Sequence, residues 1–185
     1  KSYLAKAPKL IVMYGRRRVG KTALIQEFLK RNSGIYLLAR QETEKENLRR
    51  FSIGISRFFN DPVPEASPFQ NWDSLFLYLI KKLDEKRFSI AIDEFPYLVS
   101  ANKSVPSILQ DYWDNKLSKS NAFIILCGSS ISMMEKILGY KSPIYGRRTE
   151  QMLIEPLGFY EALEFMPKSM DEKTKTIYYS ILGGP

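Results

Sequence analysis

The chain has 185 residues, a formal net charge of +8 and 44% hydrophobic residues, enough apolar content for the core of one α/β domain. It contains no histidine and a single cysteine, which excludes a histidine–metal site, a Ser-His-Asp triad and an internal disulfide. No apolar run approaches the roughly 20 residues of a membrane helix, and the cysteine usage favours a protein of the reducing cytoplasm.

The first predicted elements are a strand at residues 10–14 and a helix at residues 23–29, joined by the octapeptide GRRRVGKT. This octapeptide, residues 15–22, fits the phosphate-loop pattern G-x-x-x-x-G-K-[ST] without a mismatch. Gly15 and Gly20 lack a Cβ, so the backbone can turn sharply and aim its amides at anionic oxygens beside a helix N-terminus. We expect Lys21 to reach the β- and γ-phosphates of ATP, and the Thr22 hydroxyl to bind Mg²⁺.

Basic residues are concentrated around this loop, where ATP itself would attract them. The other basic pairs are spread along the chain without interleaved aromatic residues, so nucleic acid is a weaker explanation of the net charge. The alternative interpretation of the octapeptide is an ordinary strand-to-helix turn. The predicted nucleotide-binding residues are Gly15, Arg16, Arg17, Arg18, Val19, Gly20, Lys21, Thr22 and Ala23.

The segment between residues 35 and 87 is predicted to contain one strand and two helices. Residues 35–39 have strand character, and residues 45–59 carry apolar side chains at helical spacing. Three prolines mark residues 60–68 as a loop. After this loop, Asn71 or Asp73 is suited to cap the second helix, which has a wide apolar face.

A second informative stretch is the apolar strand at residues 88–92, which ends in Asp93 and Glu94. In an open α/β sheet, such a strand carries its last residues to the carboxyl edge, where ligands bind. We expect Asp93 to hold Mg²⁺ through water, and Glu94 to polarise the attacking water as a general base. A solvated strand end is the ordinary explanation of an Asp-Glu pair, but the phosphate loop upstream favours the functional one.

A helix is predicted at residues 106–119, followed by a continuously apolar strand at residues 122–127, as expected in a parallel sheet covered on both faces. Cys127 in this strand is interpreted as a buried small hydrophobe rather than a reactive thiol. A hydroxyl at the tip of the strand is placed to contact the γ-phosphate or the attacking water. The alternative is a helix cap, and we assign the first role to Ser129 and the cap of a helix at residues 131–138 to Ser130.

The remaining predicted elements are a polar loop at residues 139–148, a fifth strand at 150–154, and helices at 156–166 and 171–182. The loop carries two adjacent arginines, Arg147 and Arg148. Because it must cross to the carboxyl edge of the sheet or return from it, we expect part of this loop to pass near the phosphates.

Five blocks of the sequence resemble the archaeal-type ATPase family, in the STAND branch of the AAA+-like NTPases. They are GRRRVGKT at residues 15–22, LARQETEKEN at 38–47, IAIDEFPYL at 90–98, ILCGSS at 125–130 and YGRRTEQMLIEPLGFYEA at 145–162. The last two are the more specific, because many ATPases share the first. The resemblance implies a P-loop NTPase with a doubly wound parallel five-stranded sheet. It also implies the strand order 5-1-4-3-2, helices on both faces, and an extra strand between the phosphate-loop strand and the Asp93 strand.

The same resemblance implies an enzyme that uses ATP and Mg²⁺ and acts as a slow regulatory or signalling switch. It also implies an arginine near the γ-phosphate, which here is Arg147 or Arg148, acting in its own subunit or in a neighbour's. We favour Arg147, because the preceding Gly146 lets the backbone approach a ligand. The alternative is that both arginines are solvated or paired with carboxylates such as Glu150.

Residues 1–185 are therefore interpreted as a single P-loop ATPase domain, the core of a longer protein. The last residues, Gly183, Gly184 and Pro185, resemble the start of the Gly-Gly-x-Pro junction that leads to a winged-helix region in the family. That region is absent from this sequence. Besides ATP, the expected partners are DNA, contacted through parts of the protein outside this chain, and a second copy of the chain.

Three other functions share some of these features. A GTPase is disfavoured because residues 102–105, NKSV, begin like the guanine-selecting N-K-x-D but carry Val105 in place of the aspartate. A small-molecule kinase shares the phosphate loop but does not need Glu94. The third is a nucleic-acid-binding module in which ATP stabilises a DNA-bound form, and salt-dependent binding to random duplex would distinguish it.

Overall fold

Five parallel strands form the central sheet. The computed structural model describes residues 7–182, and the strands are β1 (Lys9–Tyr14), β2 (Gly34–Leu38), β3 (Ser89–Asp93), β4 (Phe123–Gly128) and β5 (Glu150–Leu153). Their order is β2-β3-β4-β1-β5, which is the predicted order read from the other end. β4 lies between β1 and β3 and pairs in parallel with both, so the predicted extra strand is confirmed.

Nine helices accompany the strands within the described residues. They are α1 (Lys21–Arg31), α2 (Glu44–Phe59), α3 (Val63–Ala66), α4 (Trp72–Glu85), α5 (Phe95–Ala101), α6 (Val105–Asn115), α7 (Ile131–Leu138), α8 (Phe159–Leu163) and α9 (Glu172–Leu182). A 3-10 turn at Leu117–Lys119 follows α6. The alternation of strand and helix along the chain supplies the helical crossovers that parallel strands require.

Alternate residues of the strands enter two apolar clusters, one on each face of the sheet. On one face, Leu10 and Val12 of β1 pack with residues of α2, α4, α5, α6 and α7. On the other face, Ile11 and Met13 pack with α1 and with Cys127, whose burial raises the pKa of its thiol. Helices cover both faces, and every position of β3 and β4 is buried. The doubly wound α/β architecture is therefore confirmed.

Side-chain caps determine where three of the helices begin. Thr43 and Glu46 form a capping box at the start of α2. Asn71, rather than Asp73, caps α4 by accepting a hydrogen bond from the Ser74 N–H at 2.8 Å. Ser130 caps α7 by accepting from the Met133 N–H at 3.4 Å, as predicted.

Four local features differ from the sequence prediction. The loop predicted at residues 60–68 contains the short helix α3. No helix was expected at α5, which holds a proline in its first turn, where a missing N–H costs nothing. The helix predicted at residues 106–119 ends at Asn115 and continues as the 3-10 turn. Residues 156–166 form only the five-residue helix α8, which begins after Gly158.

The end of the chain bears on the predicted junction to a winged-helix region. Gly183, Gly184 and Pro185 lie outside the described residues. Within residues 7–182, no helix combines the length and the apolar character required to cross a membrane.

Candidate nucleotide site

The phosphate loop curves between β1 and α1, and Lys21 folds into it. Gly20 precedes α1 at φ 87° and Arg18 lies at φ 66°, so left-handed residues turn the backbone. At Gly15 a Cβ would overlap the Ile154 carbonyl oxygen, which excludes a side chain there. The Lys21 side chain is buried, and its Nζ donates to the carbonyl oxygens of Gly15 at 2.9 Å and Arg16 at 2.6 Å. An ammonium is thereby held beside the first turn of α1, where the helix dipole also favours an anion.

Asp93 ends β3 and is only 3% exposed. Its Oδ2 accepts hydrogen bonds from Thr22 Oγ1 at 2.8 Å and from the Tyr36 hydroxyl at 2.7 Å. Its Oδ1 accepts from the Glu94 N–H at 2.9 Å. The structure therefore joins the two predicted metal ligands, Thr22 and Asp93, by one hydrogen bond. Asp93 ends β3, Thr22 follows β1, and β4 lies between these two strands.

Tyr36 is a member of this site that sequence reasoning does not identify. It lies on β2, packs on the α1 face of the sheet and reaches Asp93 with its hydroxyl. Burial, followed by the hydrogen bond to Asp93, raises the pKa of the Tyr36 hydroxyl, so this group stays protonated and acts as a donor. In the sequence, the signal for this role is the Tyr36 hydroxyl, the one polar side-chain atom in an otherwise apolar strand. It indicates a contact with Asp93 only once β2 is known to lie beside β3.

The oxygen atoms of Thr22 and Asp93 fit a magnesium ion. Mg²⁺ prefers oxygen ligands and is usually held by one or two carboxylates together with substrate phosphates. Across residues 7–182, no group of three His, Cys, Asp or Glu side chains is placed to hold a metal. Phosphate oxygens and water would therefore have to complete the coordination.

Glu94 follows Asp93 in a left-handed conformation, at φ 54°. Its Oε2 accepts hydrogen bonds from the Ser129 N–H at 3.1 Å and from the Ser129 hydroxyl at 3.0 Å. A non-glycine residue in this region costs of order 1 kcal/mol or more, so the surrounding contacts must hold it there. Ser129, predicted to meet the γ-phosphate or the attacking water, here contacts the carboxylate of the predicted base.

These residues surround a cavity of about 330 Å³ between the phosphate loop and the ends of β3 and β4. Its lining consists of Arg17, Arg18, Gly20, Lys21, Thr22, Ala23, Asp93, Glu94 and Ser129. The other predicted loop residues support it, because the Gly15 and Arg16 carbonyls hold Lys21 and the Val19 side chain is buried. The structure thus brings the phosphate-loop residues and the carboxylates together around one space.

A second cavity of about 520 Å³ adjoins the first and shares Arg17, Glu94 and Ser129 with it. The Arg17 guanidinium donates to the Tyr97 hydroxyl at 3.0 Å across this space. Tyr97 belongs to α5, the helix absent from the sequence prediction, so its place at the site was missed as well.

Arg147 and Arg148 lie at the amino ends of the strands, whereas the phosphate loop lies at their carboxyl ends. The residue after them, Thr149, bonds through its N–H to the Leu10 carbonyl at the start of β1, whereas the loop follows the end of β1. From Leu10 to Gly15 the chain advances five residues along this strand, a distance of about 17 Å. The expectation that residues 139–148 pass near the phosphates of the same chain is not met, because α7 has already returned the chain to the amino edge.

Both arginines have other partners at that edge. The Arg147 guanidinium forms a bidentate pair with Asp114, through Nε at 3.0 Å and Nη2 at 2.8 Å, and this pair lowers the pKa of Asp114. Arg148 donates to the Leu138 carbonyl at 3.1 Å and lies over the Tyr145 ring. Glu150, the carboxylate considered from the sequence, instead pairs with Lys9 at 3.2 Å.

Comparisons with known proteins agree on the class of domain. Residues 1–184 match a family model described as an ATPase domain predominantly from Archaea. An uncharacterized protein of Methanocaldococcus jannaschii is 40% identical over 171 residues, which cover 92% of this chain and 36% of that protein. The chain therefore corresponds to about a third of the length of this relative.

Solved structures share the fold. The Walker-type ATPase of Pyrococcus abyssi superposes with a TM-score of 0.79 at 24% identity, covering 99% of this chain and 61% of that one. The ORC1 protein of Aeropyrum pernix, solved in complex with DNA, gives a TM-score of 0.65 at 16% identity and covers 94% and 49%. At these identities the likeness supports the fold alone.

Proposed function

The chain belongs to the family of ATPase domains found predominantly in Archaea, and from this premise we propose a slow, magnesium-dependent ATPase that acts as a nucleotide-dependent regulatory switch. The P-loop ATPase class follows from the family. The switch role, the membership of the STAND branch and a place in the cytoplasm belong to the proposal. The observation that supports it most is the convergence of Lys21, Thr22, Asp93 and Glu94 on one cavity of about 330 Å³.

In this proposal each group has one task. The amides of the phosphate loop and the Lys21 ammonium bind the β- and γ-phosphates of ATP. Thr22 and Asp93 hold Mg²⁺, which supplies charge neutralisation when bound, and Tyr36 fixes the Asp93 carboxylate. Glu94 polarises the attacking water as the general base.

The contact between Glu94 and Ser129 supports slow, regulated turnover. Both hydrogen bonds from Ser129 go to the same carboxylate oxygen of Glu94. A carboxylate oxygen has two lone pairs, so an oxygen that already accepts two hydrogen bonds leaves little room for one from the attacking water. Reorientation of Ser129 toward the γ-phosphate or the water would release Glu94, so we propose that Ser129 couples the state of the nucleotide to the availability of the base.

The arginines enter this proposal through a neighbouring subunit. Arg147 and Arg148 are remote from the phosphate loop of their own chain, so a contribution to turnover requires a second copy that presents its amino edge to the nucleotide. A guanidinium there would stabilise the charge of the transition state more than that of bound ATP.

The test measures hydrolysis and binding of ATP separately on the full-length protein. Hydrolysis that requires Mg²⁺, prefers ATP to GTP and rises on addition of a partner would support the proposal. A rate that is unaffected by chelation of Mg²⁺ would contradict the metal assignment. The absence of ATP binding by calorimetry would contradict the site as a whole.

A second candidate is a nucleic-acid-binding module in which ATP stabilises the bound form. The net charge of +8 favours it, and the ORC1 protein of similar fold was solved in complex with DNA. Binding of random duplex by the full-length protein, weakening steeply as salt increases, would favour this function, particularly if ATP tightens the binding without being hydrolysed.

A further inference from the structure

β2 is an edge strand whose outer side faces no other strand of the described residues. The order of the sheet places β3 on one side of β2 only. The Ser33 carbonyl accepts from Ser89, and the Ala39 N–H donates to Asp93, both on β3. Because backbone groups alternate along a parallel strand, the N–H and C=O groups of the even-numbered residues, Gly34, Tyr36 and Leu38, point away from β3. They form a row of alternating donors and acceptors.

This edge lacks the usual protection against pairing with another chain. Edge strands are normally blunted by lysine, proline, a bulge or an inward-pointing charge. The sequence of β2 is GIYLL, which contains none of these residues, and β2 pairs in register with β3 along its whole length. In contrast β5, the strand at the other end of the sheet, has only four residues and begins with the charged Glu150.

A groove of about 600 Å³ runs beside β2, between this strand and α2. Its floor includes Leu37 and the exposed Leu38, and α2 forms its wall. Gly54 faces Leu37 in the middle of the 16-residue helix, where glycine costs roughly 1 kcal/mol relative to alanine. The absence of a side chain at this position keeps the groove open above the strand.

The wall of the groove is basic. Arg49, Arg50 and Arg57 line it from α2. Arg50 is paired with Glu42 at 2.8 Å, whereas Arg49 and Arg57 form no ion pair or hydrogen bond with any of residues 7–182. The other carboxylate at the groove, Glu46, is engaged in the capping box with Thr43. The groove therefore presents two guanidinium groups that form no ion pair within residues 7–182, and its lining carries three arginines against two glutamates.

We propose that the β2 edge and the α2 arginines form a docking site for an acidic, extended segment of a partner protein. The segment would add to the sheet beside β2 as a sixth strand, with carboxylates directed at Arg49 and Arg57. A nucleic acid matches the guanidinium groups but fits the edge poorly, because its backbone phosphates only accept hydrogen bonds and its donors lie on bases and sugars rather than in a row beside the outward carbonyls of β2. An acidic polypeptide supplies backbone donors and acceptors in alternation at the spacing of a β-strand, together with negative charge.

The experiment selects ten-residue peptides from a random display library on the full-length protein. The selected pool is compared with that obtained on the double variant Arg49→Glu, Arg57→Glu. The matched control is Lys81→Glu, Lys86→Glu, which makes the same change of net charge at exposed positions that do not line the groove. We expect the parent and the control to enrich peptides in which Asp or Glu alternates with β-branched residues, and the double variant to lose them.

An enriched peptide is then synthesised, and its affinity is measured by fluorescence anisotropy. The double variant should bind it about tenfold or more weakly than the parent does, whereas the control should stay within about twofold. Every second backbone amide of an extended peptide points to the same side. N-methylation of the amides on the side that faces β2 should abolish binding, because it removes the donors for the β2 carbonyls.

Several results would overturn the proposal. They are a selected pool without acidic residues, equal affinity of the parent and the double variant for the peptide, and unchanged binding after N-methylation of each edge in turn, which would indicate electrostatic attraction without strand pairing. Competition for the groove by oligo-dT, or loss of a dimer in the double variant without peptide enrichment, would assign the surface to a nucleic acid or to a second copy instead.

Discussion

The two edges of the sheet differ in how they use charged residues. At the carboxyl edge, Lys21, Asp93, Glu94 and Ser129 come from three different strand ends and surround one cavity. At the amino edge, the adjacent Arg147 and Arg148 turn to separate partners, Asp114 and the Leu138 carbonyl. In a parallel sheet, residues that follow strands converge, whereas residues that precede a strand lie at its other end, about 17 Å away for a six-residue strand such as β1. Position relative to the strand therefore decides which residues can act together on one ligand.

The largest effect is expected from Glu94→Gln at the carboxyl edge. The amide retains the shape and an acceptor for Ser129 but cannot act as a base, so hydrolysis should fall roughly 10²-fold or more while Mg·ATP still binds. Single-turnover hydrolysis and calorimetry separate the two quantities. Turnover at the parental rate would show that Glu94 is not the general base. The residues that surround the cavity would then have no demonstrated role in hydrolysis.

Lys21→Ala tests the binding half of the same edge. The substitution removes the ammonium that lies inside the phosphate loop, so ATP affinity should drop about tenfold or more, given roughly 1.5–3 kcal/mol for charged hydrogen bonds. Lys30→Ala, at the exposed end of α1, is the matched control and should leave the affinity unchanged. Equal affinities of the parent and Lys21→Ala would show that ATP binds elsewhere.

Tyr36→Phe tests a residue that belongs to the site at the carboxyl edge only because its strand, β2, lies beside β3. Loss of the hydrogen bond to Asp93 should raise the Mg²⁺ concentration required for half-maximal ATP binding several-fold, since outer partners orient metal ligands. Tyr78→Phe is the control, because the Tyr78 hydroxyl donates to the Asp61 carboxylate at 2.7 Å, outside the cavity. Identical Mg²⁺ titrations of the two variants would reduce Tyr36 to a packing role.

Alanine variants of Arg147 and Arg148 test whether the amino edge serves a neighbour's nucleotide. In dilute solution, where subunits are separate, turnover should stay within about twofold of the parent, because neither arginine lies near its own phosphate loop. At concentrations where the protein self-associates, one variant should lose turnover, and an inactive Lys21→Ala subunit should restore it. A loss of turnover that is independent of protein concentration would mean that the arginine acts in its own subunit.

The smallest effect concerns the stability contributed by the pair between Arg147 and Asp114. Their side chains are 28% and 41% exposed, so solvent screening limits the contribution to about 1 kcal/mol or less. The pKa of Asp114 is lowered in the folded state, so this stabilisation is present above the unfolded pKa and lost as pH falls through the lowered folded value. Urea unfolding should therefore show a deficit for Arg147→Ala at pH 7 that disappears in acid. A deficit of equal size at both pH values would indicate lost packing instead.

Local signals account for what the sequence predicted well. The apolar runs of β1, β3 and β4 and the apolar period of α2 and α4 are set by residues close in the chain. The glycines of the phosphate loop mark a backbone path that few other residues can follow, as the φ of 87° at Gly20 illustrates. α5 escaped notice because its proline resembles a helix breaker, and only its place in the first turn makes it acceptable.

The sequence by itself determined the class of fold, the phosphate loop and the pair of carboxylates at a strand end, since each depends on the spacing of neighbouring residues. Only the tertiary structure decided that Tyr36 reaches Asp93, that Ser129 holds Glu94 and that the arginines occupy the other edge. Tyr36 and Asp93 are 57 positions apart, and Glu94 and Ser129 are 35 apart. The place of the arginines depends on the direction in which their loop leaves α7. Strand order and chain direction are properties of the whole sheet, which no local pattern encodes.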